Sequence, residues 1–157
     1  MVTDLTMREF GPAILGACLL CVPTAANALD QREGQHWRCV GGPVQIEYVI
    51  GKLEAVSAIL PDLPAERDVR LAHLSVWEAT ELGPGRQIDH MPFQANRVTC
   101  AGQVYVGEGL AIPDGFEAGY ASWRAAAASG QAGWFAAPID EMFRAVRILP
   151  APEETRP

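Results

Sequence analysis

The stretch Ile88-Asp89-His90-Met91-Pro92-Phe93 holds the residue types best suited to chemistry. A carboxylate such as Asp89 can hold an imidazole such as His90 in the tautomer that accepts a proton, the arrangement of general-base catalysis. His90 and Met91 are also ligand types of a periplasmic copper ion. Copper needs further soft or imidazole ligands, and the other histidines, His36 and His73, stand at no spacing that joins them to this stretch. The plainer expectation is a loop histidine bonded to nearby backbone, with no metal and no cofactor. His73 sits among Leu71, Leu74 and Val76, which reads as a partly buried, satisfied histidine. Glu78 or Glu81 could pair with a carboxylate elsewhere for glycosidase chemistry, but the separation that decides it is not legible in a sequence. Trp37, Trp77, Trp123 and Trp134 are candidates to line an aromatic cleft, or else to fill the core.

Signatures of the common catalytic classes are missing. There is no G-x-S-x-G, no H-E-x-x-H and no G-x-x-x-x-G-K-[ST]. Gly83-Pro84-Gly85 and Gly107-Glu108-Gly109 read as turns. Apolar residues make up 49% and charged residues 20% of the 157, an ordinary globular composition. The net charge is −7, and Lys52 is the only lysine. Such a surface repels phosphate backbones and anionic headgroups, so nucleic acid is not an expected partner.

The elements that must position these residues begin after an atypical leader. Ala13 to Val22 is an uncharged, mostly apolar run, too short to cross a bilayer. Pro23 ends it, and Ala26-Asn27-Ala28 supplies the small residues of a signal-peptidase site. Residues 1–28 therefore read as a cleavable signal peptide, which leaves no stable membrane span after processing. Arg8 is offset by Asp4 and Glu9, and a start at Met7 would improve the pattern. Leu15-Gly16-Ala17-Cys18 offers a lipobox alternative, with Cys18 lipidated, but the residues after it stay apolar. Alanine-rich, arginine-over-lysine composition suggests a bacterial source. Cys39 and Cys100 remain after cleavage, and a periplasmic or secreted location favours their bridging. A loop of about 60 residues closed this way is stabilised by roughly 4 kcal/mol.

His36 to Val40 reads as a strand ended by Gly41-Gly42-Pro43. Val44 to Leu60 fits strand alternation in its first half and leaves 53–60 open. Pro64 and Gly83-Pro84-Gly85 bracket a span read as a helix over 64–82, with a strand over Val69–Trp77 as its rival. Gln87 to Phe93 reads as short and extended. Arg97 to Cys100 and Gln103 to Val106 read as a hairpin about Ala101-Gly102. Phe116 to Ser129 reads as a helix with Gly130 as its stop, and Trp134 to Ala136 as a short strand. Pro138 opens a second helix with Ile139, Met142, Phe143 and Val146 on one face. Residues 150–157 read as a disordered tail.

The fold expected is α+β: a small antiparallel sheet with two C-terminal helices packed on it and one disulfide, within a single domain over 29–149. The W-x-C strand, glycine turn and second strand are loosely similar to small periplasmic lysozyme inhibitors, a generic hairpin that carries no specific residue over. The function expected is a non-enzymatic binding or inhibitor module for a protein, peptide or glycan partner. The alternative is a small periplasmic hydrolase or metal-binding protein using His90 and neighbouring carboxylates.

Overall fold

The computed structural model describes residues 31–63, 68–81 and 83–148. The leader over 1–28 and the tail over 150–157 lie outside these residues. The elements are β1 (Gln35–Cys39), β2 (Ile46–Ala55), β3 (Arg70–Thr80), β4 (Gly83–Gln94), β5 (Gln103–Glu108), α1 (Gly115–Ala128) and α2 (Ile139–Ile148). The strands form one antiparallel sheet in the order β4-β3-β2-β1-β5. The fold is α+β, with both helices late in the chain, as the sequence predicts. Among the described residues no helix is long and apolar enough to cross a membrane.

Both faces of the sheet are covered. On one, Ile46, Tyr48, Ile50, Ala72, Leu74, Val76 and Phe93 pack against Ile139 and Phe143 of α2. On the other lies α1, whose Phe116 ring fills the space over Gly51 that a side chain there would need. The run Leu71–Val76 is buried without interruption. A strand buried on both sides loses its polar alternation, so its period no longer separates strand from helix. That is why the expected helix over 64–82 is not found: Arg70–Thr80 is β3, while residues 64–67 lie outside the description. The same covering settles the open segment. β2 runs through Leu53 to Ala55, and Val56–Ala58 is one 3-10 turn.

β4 extends the expected short strand to twelve residues and takes in Gly83-Pro84-Gly85, which starts the strand instead of merely ending its predecessor. The expected hairpin about Ala101-Gly102 is a second correction. Ala95–Arg97 is a 3-10 turn, and β5 pairs with β1, setting Gln103 opposite Cys39 and Tyr105 opposite Trp37. The first arm is otherwise engaged: Val98 is buried in the core, and the Thr99 carbonyl accepts the Ile139 N–H at 3.0 Å, fixing the start of α2. Trp134–Ala136 forms no strand, only a parallel bridge from Phe135 to Phe93.

The disulfide joins Cys39 to Cys100 with Cα atoms 5.8 Å apart. It ties the end of β1 to the loop that precedes β5. The first helix ends as expected. Gly130 has φ of 74°. Its N–H donates to Ala127, and that of Gln131 to Ala126, which together satisfy the last carbonyls of α1.

Candidate functional site

His73 and His90 come together on the α1 face of the sheet. His73 stands near the middle of β3 and is fully buried. His90 is aimed by a bulge: Met91 opposes Leu74 and Ile88 opposes Val76, so Asp89 and His90 share the place opposite Ser75. The two rings stack at 5.1 Å between centroids, with His73 Nδ1 2.9 Å from His90 Nε2. One nitrogen donates and the other accepts, so one proton lies between two neutral rings. His73 Nε2 lies 3.0 Å from Glu54 Oε1, in contact but off the line of an N–H···O bond. Glu54 instead accepts the Tyr120 hydroxyl at 2.8 Å, and Arg124 Nη1 donates to that same hydroxyl at 3.0 Å.

The helix closes over this pair at short range. Phe116, Tyr120 and Trp123 of α1 all contact the His90 ring, and Trp123 stands edge-on to His73 with centroids 4.8 Å apart. Gly119 permits the approach, since a side chain there would collide with His90 Cβ. Trp123 is fixed by its own indole N–H, which donates to the Gly133 carbonyl at 2.7 Å. Burial lowers the His73 imidazole from 6.5 to about 3, helped by the charges of His90, Lys52 and Arg124. Burial alone lowers His90 to about 4. Both rings are thus uncharged at neutral pH. Burial and then the bond to Glu54 push the Tyr120 phenol above its usual value.

Asp89, the expected orienting carboxylate, accepts instead from Gln87 Nε2 on its own strand. Glu54 takes the acid's place beside the histidines. It was not legible as a site residue because the bulge at Gly51 reverses the alternation of β2: Ile50 opposes Leu74, while Lys52 opposes His73 and Glu54 opposes Leu71. Among the described residues no group of three metal-ligating side chains gathers.

His90 opens onto a groove of about 450 Å³. Its walls include Ile88 and Met91 of β4, Trp123 of α1, Phe135, and Val146 of α2. It runs along the β4 edge of the sheet, between the two helices. Pro92 and Gln94 are hydrogen-bonded to Phe135, so one end of that edge is closed. A larger cleft of about 590 Å³ lies elsewhere, lined by Arg38, Glu47, Glu78 and Glu81. Its size does not make it the better site. Glu47 is committed to His36 at 2.8 Å and to Arg38 at 2.7 Å, and the remaining wall is acidic and open.

The four tryptophans do not share one cleft. Trp37 packs against Tyr105, Trp77 lies over His36, and only Trp123 faces the groove. Trp134 is half-buried next to Phe135 in the chain. The tryptophan signal therefore finds one groove residue in four. The partners of that residue, Phe135 and Val146, follow only from the way α2 and its approach pass the β4 edge.

No family model and no solved structure matches the chain. It is similar to 4-hydroxy-3-methylbut-2-enyl diphosphate reductase of Synechococcus sp., with 26% identity over 116 residues, 69% of this chain and 29% of that protein. The protein of the same name from Cyanothece sp. is 26% identical over 87 residues, 55% of this chain and 21% of its own length. That from Acaryochloris marina is 24% identical over 91 residues, 57% of this chain and 21% of its own. The chain thus spans less than a third of the length of these relatives.

Proposed function

We propose that this protein is an exported, non-enzymatic binding or inhibitor module whose recognition site is the groove along β4. The observation that carries the reading is the groove's chemistry. Its apolar and aromatic walls are drawn from β4, Phe135 and the two helices, and His90 supplies one polar group at its side. A volume of this order is typical of sites that bind a small-molecule-sized group through apolar walls and a few placed polar groups. The expected occupant is an aromatic or aliphatic side chain of a protein or peptide partner, in the periplasm or outside the cell.

The hydrolase reading draws on the same histidine and is weaker. A general base works best with its pKa near the ambient pH, and His90 is held at about 4. Its partner His73 is fully buried and serves to anchor α1. Diphosphate chemistry of the kind named for the partial relatives is also poorly matched. A diphosphate would meet apolar walls in the groove, and in the larger cleft Glu47, Glu78 and Glu81 beside one arginine, Arg38, that is paired with Glu47.

Two measurements test the proposal. Titration with indole as an aromatic probe is expected to shift NMR signals of Ile88, Met91, Trp123 and Phe135 together. Ala126→Arg, which fills the groove from α1, is expected to abolish the shifts without changing the fold. Indole shifts spread evenly over the surface, or unaffected by Ala126→Arg, would count against the groove. For export, mass spectrometry of the protein recovered from its host is expected to find Leu29 at the N-terminus. A lipidated Cys18 would replace the free form with an anchored one, and an intact Met1 or Met7 would remove export.

A further inference from the structure

The two edges of the sheet are built differently. Both carry a register shift, but β4 also carries Pro84 and Pro92, and the charged Arg86 and Asp89, and Phe135 closes its end. Prolines and charges of this kind block the addition of a further strand. β5, at the opposite edge, has neither a proline nor a charge before Glu108, and its one guard is the bulge that leaves Val106 without a partner on β1. Gln103 to Gly107 is uncharged, and Val104, Tyr105 and Val106 are 48%, 46% and 45% exposed. Val40, which follows β1 and donates its N–H to the Gly102 carbonyl, is exposed as well, as are Leu110 and Ile112 beyond the end of β5. Among the described residues no strand pairs with the outer side of β5.

We propose that the outer edge of β5 pairs antiparallel with β5 of a second copy, joining the two sheets into one. A two-fold axis through Tyr105 places that ring against its own counterpart. It also sets Val104 against Val106 of the partner subunit, so apolar side chains meet apolar side chains across the seam. The charges agree with this register. A chain of net charge −7 repels its own copies unless the contact is free of uncompensated acid. Glu108 is the only charged residue of β5, and Arg32 holds it at 3.0 Å. The register sends the two Glu108 carboxylates to opposite ends, each facing Gly102 of the partner subunit. Among the described residues nothing covers the outer backbone of β5 or the side chains of Val104, Tyr105 and Val106. An edge pairing of a single short strand buries less than the roughly 1,200 Å² of a standard stable interface, so the dimer is weak and depends on concentration.

The test is sedimentation velocity of the oxidised protein over a concentration series, with hydrogen exchange at residues 104–106. The mass is expected to rise from monomer to twice the monomer, and the amides to gain protection over the same range. Val104→Lys combined with Val106→Lys is expected to remain monomeric, with an unchanged circular dichroism spectrum and urea midpoint. A monomer at every concentration would overturn the proposal, as would a dimer that survives both lysines. A monomer with β5 amides protected at all concentrations would overturn it too. None of these outcomes bears on the β4 groove, which lies at the other edge of the sheet.

Discussion

Replacing both Cys39 and Cys100 with alanine is expected to lower stability by about 4 kcal/mol, the largest loss available from removing one bond in this chain. The cysteines are 61 residues apart, so the bond removes a large closure entropy from the unfolded chain. The loss adds to a packing cost, because Cys39 is buried in the core beside Ile46 and Tyr48. Domains of this size hold only about 5–15 kcal/mol in all, so a large share of the total is at stake. Urea unfolding at neutral pH is the measurement. At a typical slope of about 2 kcal/mol per molar, the midpoint falls by roughly 2 M. Reducing agent should move the wild type to nearly the same midpoint and leave the variant where it is. A loss below about 1 kcal/mol would mean that the unfolded chain is already compact between these positions.

Mild acid is expected to destabilise the protein through the His73–His90 pair. In the unfolded chain both imidazoles titrate near 6.5, whereas in the fold they are lowered to about 3 and about 4. As the pH falls below 6.5, the unfolded state binds protons that the native state refuses. Stability is therefore complete above that value and drains away as the pH approaches the native values. Each histidine contributes a slope of up to about 1.4 kcal/mol per pH unit, and the two are coupled because charging one ring opposes charging the other. Between about pH 6.5 and pH 5 most ordinary carboxylates stay ionised, so that window isolates the histidines. The check is a set of urea midpoints at both ends of the window, followed by Trp123 fluorescence, which reports on α1. The double variant His73→Leu, His90→Leu is expected to show a much flatter profile. A wild-type midpoint that does not move between the two pH values would refute the assigned burial of the pair.

The late half of the chain was more legible than the middle. α1 and α2 each present one apolar stripe, a proline or glycine boundary and, in α2, acids in the first turn. Those signals are local, and the sequence displays them directly. The β3 segment defeats the same reasoning because its burial depends on two helices that arrive much later in the chain. Burial on both sides leaves Leu71–Val76 buried without interruption, with His73 and Ser75 as covered as the apolar residues between them. The pairing of β5 was hidden for a related reason. Gln103 to Val106 looks like the return arm of a hairpin with Arg97 to Cys100, but β1 lies free beside it and Val98 is taken up by the core. At the site, His90 and His73 could be named but not joined. Their meeting depends on a bulge opposite Ser75 that no residue type announces. Glu54 was hidden by the phase reversal at Gly51.

The disulfide also divides the chain topologically. β2, β3 and β4 lie inside the covalent ring it closes, while α1 and α2 lie outside it. The exposed stretch Pro61–Leu63, between β2 and β3, belongs to the ring. A protease that cut there would open the ring without releasing either piece. The two fragments would stay linked through the sulfurs and separate only on a reducing gel, so a molecule nicked at this loop would still travel as one particle.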